Sequence, residues 1–148
     1  MITNKVSIGN CGEYFVAAEL ERHGFTAAVP MSNTRDFDIL AIDRQDSSRQ
    51  FAIQVKTNAG NKLNWVLSKK NESIVGENIY YVFVNLNDGD NPDYFIVPSK
   101  TVADYISASH QDWLNGYGKN GQKHNDSNLR KFVIDDASKY KNNWTILK

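Results

Sequence analysis

Four polar residues stand in apolar surroundings in this chain: Glu13, Asp38, Gln54 and Lys56. Asp38 belongs to Asp-Phe-Asp-Ile-Leu-Ala-Ile-Asp, residues 36–43, and Gln54 and Lys56 to Phe-Ala-Ile-Gln-Val-Lys-Thr, residues 51–57. Both stretches alternate with period two, which predicts two β-strands joined through the polar turn Arg44 to Arg49. On that parity Phe51, Ile53 and Val55 share one face, while Gln54 and Lys56 project together from the other. A carboxylate, an amide and an amine among hydrocarbon need partners or a task.

A hard divalent cation such as Mg²⁺, with Mn²⁺ as substitute, is one such task, because it takes oxygen ligands. Asp38 offers a carboxylate, Gln54 an amide oxygen and Val55 its backbone carbonyl. Glu13, expected on a helix over the same sheet face, reaches such a metal through water or a second ion. Lys56 would orient or deprotonate a water for attack on a phosphodiester and neutralise the charge that develops there. Each residue also has a plainer role. Asp38 can bond the Asn33–Arg35 turn, Lys56 can snorkel from a strand end, and Glu13 can complement its helix dipole.

The elements that must position these groups are legible in order. Ser7 to His23 reads as a helix with Gly24 as its stop, and Val16, Ala17, Leu20 and Gly24 form one stripe with Glu13 in line with Leu20. Phe15 lies on the far side, an expectation of cover on two sides. Phe25 to Val29 reads as a strand broken by Pro30, and Lys62 to Leu67 as a short strand anchored by Trp65. Asn71 to Asn78 reads as connection. Ile79 to Leu86 is a strand buried on both faces, turning at Asn87 to Pro92 into Tyr94 to Val97. Ser99 or Thr101 is expected to cap a helix to Leu114 with Val102, Tyr105, Ile106 and Trp113 near one face. Asn115 to Asn128 is the long loop, followed by a strand at Lys131 to Ile134, a helical piece at Ala137 to Lys141, and Trp144, Ile146 and Leu147 packing back. The order reads as α/β with a mixed sheet, and the whole of residues 1–148 as one domain.

Composition excludes more than it selects. Lys plus Arg and Asp plus Glu are 17 each, so bulk charge does not point to nucleic acid. Distribution does: from Ser47 to Asn71 there is no acidic residue, while Arg49, Lys56, Lys62, Lys69 and Lys70 all fall there. Lys119, Lys123, Arg130 and Lys131, with Trp113 and Tyr117, offer a second set for phosphate contact and base stacking. The single cysteine, Cys11, excludes a disulfide framework and a cysteine zinc site, and His110 and His124 have no ligand spacing. With no apolar run long enough to cross a bilayer and no signal-peptide pattern, a cytoplasmic protein without a membrane partner is expected.

Gly12-Glu13 on a first helix, the Gly24-Phe25 helix end, Asp38-Ile-Leu and Gln54-Val-Lys56 together resemble the PD-(D/E)XK nuclease superfamily. The likeness extends to archaeal Holliday-junction resolvases and small stand-alone members, and its motifs span residues 7–57. It implies a restriction-endonuclease-like fold, with a central mixed sheet of four or five strands flanked by helices. It also implies Mg²⁺-dependent cleavage of nucleic acid, DNA foremost, with Glu13, Asp38, Gln54 and Lys56 as catalytic residues and Asp38, Gln54, Val55 and Glu13 about the metal. A homodimer is compatible with it. Lys62, Lys69, Lys70, Lys119 and Lys123 would touch nucleic acid. Phe37 stands where the family has a variable Pro, and Gln54 where Asp or Glu is usual, which removes one negative charge from the metal site. The alternative is an inactive module on the same fold that binds DNA, RNA or a protein.

Overall fold

The computed structural model describes residues 2–31 and 37–147. Helix α1 spans Lys5–Arg22, beginning two residues before the expected Ser7 because Asn4 caps it: Asn4 Oδ1 accepts from the N–H groups of Val6 and Ser7. It ends as expected, with Gly24 at φ +94°, a conformation that only a residue without Cβ adopts freely. Strands β1 (Phe25–Ala28), β2 (Ile39–Asp43) and β3 (Gln50–Asn58) follow as an antiparallel meander. The hairpin read from period two is therefore present, with Ile39 opposite Ile53 and Ala41 opposite Phe51.

Strand β4 (Asn64–Ser68) leaves this sheet, and β5 (Ile79–Asn85) returns to lie parallel to β3. Strand β6 (Asp93–Pro98) pairs antiparallel with β5, giving the five-stranded order β1-β2-β3-β5-β6. The turn into β6 places Asn87, Asp88 and Gly89 all at positive φ, which suits its Asn-Asp-Gly sequence. Helix α2 (Ser99–Asn115) then leads through the long loop to β7 (Leu129–Val133), which pairs antiparallel with β4 as a separate two-stranded ribbon.

The two faces of the central sheet are covered differently. Ile39, Ile53, Val55, Val82 and Val84 pack against Val16 and Leu20 of α1, with Trp144 and Leu147 closing that layer. Tyr81, Phe83, Phe95 and Val97 pack against Val102 and Ile106 of α2 and against Trp65, Leu67 and Phe132 of the ribbon. Trp65 is the expected anchor: it is buried, contacts Phe83 and Phe95, and its Nε1 donates to the Val84 carbonyl at 3.2 Å.

Four expectations need correction. Ser99 does not cap α2. Pro98 occupies that position, and the Ser99 hydroxyl instead donates to the Gly76 carbonyl at 3.0 Å and accepts the Gly76 N–H at 3.1 Å. The helical piece at Ala137 shrinks to a 3₁₀ turn, Ala137–Lys139. Trp113 is 44% exposed rather than packed with Val102 and Ile106. Phe15 is 40% exposed, so the far side of α1 is only partly covered, along a cleft shared with Tyr94 and Trp144. Among the described residues, no helix is long and apolar enough to cross a membrane.

Candidate active site

The site forms where β2 stops short of its neighbour. β2 begins at Ile39, opposite Ile53, whereas β3 runs on to Asn58. Asp38 clamps this end onto β3, its N–H donating to the Ile53 carbonyl at 2.8 Å and its Oδ2 accepting the Val55 N–H at 2.8 Å. The two bonds bracket Gln54. The Asn33–Arg35 turn, the other partner expected for Asp38, lies outside the described residues.

Along a strand, the N–H and C=O of one residue leave on the same side. The Val55 carbonyl therefore leaves β3 toward Asp38. Gln54 is buried on the α2 side of the sheet, in register with Tyr81, and Lys56 follows it on that face in register with Phe83. Burial pushes the Lys56 amine below its usual pKa; Asp38 pulls it back up, Lys70 pushes it down, and Glu13 pulls it up. Those influences place Asp38, Lys70 and Glu13 within electrostatic reach of Lys56.

Glu13 arrives differently from the expectation. α1 lies over the Ile53–Val55 face, not the Gln54–Lys56 face. Glu13 still feels the charges of both Asp38 and Lys56. Its carboxyl is pushed up by burial first and by the Asp38 charge second, while Lys56 draws it down. α1 comes close to β3 at Gly12: a Cβ there would collide with Thr57 Oγ1 and lie 2.9 Å from Thr57 Cβ and Cγ2. Thr57 Oγ1 is buried and has no hydrogen-bond partner among the described atoms.

These residues suit a hard cation. The Glu13 and Asp38 carboxylates are close enough to repel each other, Asp38 bonds the backbone on either side of Gln54, and one of its oxygens is engaged by Val55. Among the described residues no three or more His, Cys, Asp or Glu side chains cluster to hold a metal, so a cation held here would need further donors such as the Gln54 amide oxygen and the Val55 carbonyl.

The 3₁₀ turn Lys69–Glu72 forms the neighbouring wall. Its buried Asn71 donates to the Tyr81 hydroxyl at 2.9 Å and accepts the Ser68 N–H at 2.9 Å, so the turn is pinned to the strand beside Gln54. Lys69 and Lys70 are exposed on it. Sequence reasoning passed over Asn71 and Tyr81 as connection and core; the readable signal was Ser68 followed three residues later by Asn71, a capping spacing. Lys62, Lys119 and Lys123 are also exposed, the last bridging Tyr117 in a small turn of the long loop. Arg130 is not available for phosphate in the way its sequence context suggested. It is buried, its Nε donates to Glu72 at 2.6 Å, and its Nη1 donates to the Ser127 and Leu129 carbonyls.

No protein-family model matches the chain, and no curated protein matches it. Two solved structures share its architecture. Hjc, a Holliday junction resolvase from Archaeoglobus fulgidus, is similar at 15% identity and a TM-score of 0.56, over 89% of this chain and 88% of its own. A bacterial homing endonuclease is similar at 12% identity and a TM-score of 0.54, over 98% of this chain and 91% of its own. Both are restriction-endonuclease-like nucleases, and the five-stranded mixed sheet flanked by helices is that fold.

Proposed function

We propose that this chain, built on the restriction-endonuclease-like fold, is a divalent-metal-dependent nuclease that hydrolyses phosphodiester bonds in DNA. The observation that supports the reading is the end of β2, where Lys56 feels the charges of Asp38, Lys70 and Glu13 and where Asp38 bonds the residues on either side of Gln54. Asp38, the Gln54 amide oxygen and the Val55 carbonyl would hold Mg²⁺ or Mn²⁺, with Glu13 farther out. The ion would supply positive charge to the scissile phosphate and favour ionisation of water near it. Lys56 acts on the proton. Burial lowers its affinity for one, so a larger fraction of its Nζ is neutral than on an exposed lysine and free to take the proton of the attacking water. In its charged form the same amine offsets the negative charge that builds on the phosphate oxygens. Lys69 and Lys70 would attract the flanking backbone.

The direct test is cleavage of plasmid and oligonucleotide DNA with Mg²⁺ or Mn²⁺ by the wild type, Asp38→Asn and Lys56→Met. Cleavage should need the metal and fall by at least about a hundredfold in each variant, the scale of losing one general acid–base group. Metal-independent cutting, or full activity in Asp38→Asn, overturns the assignment. Gln54 favours a second reading, an inactive module that binds nucleic acid, because an amide adds no charge to the metal site. Salt-sensitive DNA binding indifferent to metal and without cleavage would select it.

A further inference from the structure

A cavity of 290 Å³ opens between α2 and β7, lined by Ser109, His110, Trp113, Ser127, Leu129, Arg130 and Lys131. Its walls are held in place. His124 stacks flat on Trp113 at 4.1 Å and its Nδ1 lies 2.6 Å from the Trp113 carbonyl. His110 Nε2 is bonded to Asp126 at 2.8 Å, and Arg130 to Glu72 at 2.6 Å. Despite this bracing, to which His110 adds a second ring stacked on Trp113 at 5.6 Å, Trp113 and Leu129 remain 44% and 58% exposed where they line the pocket. The slot is tied directly to the basic wall of the candidate active site, since the Lys69 N–H donates to the Asn128 carbonyl at 2.8 Å and Glu72 of the same turn holds Arg130.

We propose that this pocket takes one unpaired nucleobase of the substrate strand, so that the preferred substrate is DNA with a single-stranded tail or flap. The inference rests on the nuclease reading above and names its substrate class. A braced indole beside an aliphatic wall suits a flat heterocycle, which stacks without regard to sequence. The Ser109 and Ser127 hydroxyls, and the Arg130 Nη2 that its described bonds leave over, suit the polar edge of a base. Lys131 at the pocket and Lys69 and Lys70 on the adjoining turn suit the phosphates on either side of that base. A base held in a duplex cannot present its ring to such a slot, because its faces are stacked and its edge is paired.

Trp113 makes the test direct, since the other two tryptophans, Trp65 and Trp144, are buried. Tryptophan emission and affinity are measured in EDTA for a blunt duplex and for the same duplex carrying a short single-stranded tail. The tailed DNA should quench the emission and bind roughly tenfold more tightly, within the range of one stacked base. Trp113→Ala and, as an exposed substitution that spares the fold, Leu129→Ser should erase the advantage and leave blunt-duplex affinity unchanged. Lys69→Glu/Lys70→Glu should weaken both DNAs. Equal binding of the two DNAs without quenching overturns the pocket and leaves the nuclease reading standing. Binding of neither DNA by the wild type overturns both.

Discussion

In the proposed site Gln54 is the most consequential residue, an amide where a second carboxylate would double the negative charge of the nearest proposed ligands. Each added carboxylate tightens divalent-cation binding in a partly desolvated site. Gln54→Glu, nearly isosteric, should raise Mn²⁺ affinity in calorimetric titration and lower metal-free stability through repulsion with Asp38. Unchanged affinity would remove Gln54 from the ligand set. Glu13 gives a second residue-scale expectation with a definite pH window. Its folded-state pKa is raised, so well below the usual carboxylate range the group is neutral in both states and costs nothing. As pH rises through the raised value, the folded state must carry a charge that burial and Asp38 disfavour, and stability is lost. Glu13→Gln should therefore raise the metal-free Tm at pH 7, by no more than about 1 kcal/mol of stability for a partly solvated group, and leave it unchanged near pH 3. A lower Tm at pH 7 would contradict the electrostatics described here.

At the scale of elements, the contact of α1 with β3 decides where Glu13 sits. Gly12→Ala should force the two apart against Thr57 and destabilise the protein by about 1–3 kcal/mol, the usual cost of overpacking. Adding Thr57→Ala removes Oγ1 and Cγ2 and should restore part of the loss in denaturant unfolding; strictly additive effects would rule out the contact. The strands of the hairpin were legible in the sequence because period-two alternation reports burial on each side of a strand, and Ile39, Phe51 and Ile53 obey it. α1 was legible through Val16, Leu20 and Gly24. The face that α1 covers was not, because parity separates Gln54 from Val55 without saying which side a helix takes. Nor was the early end of β2, which comes from the Asp38 side chain taking the Val55 N–H, a bond that no periodicity encodes. The capping of α2 was misread for a related reason: Ser99 has a stronger use in tying Gly76 to the helix start.

The whole molecule carries equal numbers of acidic and basic residues, so any attraction for nucleic acid has to come from local placement, with Lys56, Lys69 and Lys70 about one junction. The site residues were legible as a set because four polar side chains interrupted otherwise apolar patterning. Their proposed meeting across two faces of the sheet rests on the three-dimensional arrangement. It is what a metal ion would exploit, and a crystal tests it directly. Crystals grown with Mn²⁺ should show anomalous density for one ion bounded by the Asp38 carboxylate, the Gln54 amide oxygen and the Val55 carbonyl, with Glu13 in the outer sphere. Anomalous density elsewhere, or none at that junction at saturating Mn²⁺, would contradict the account.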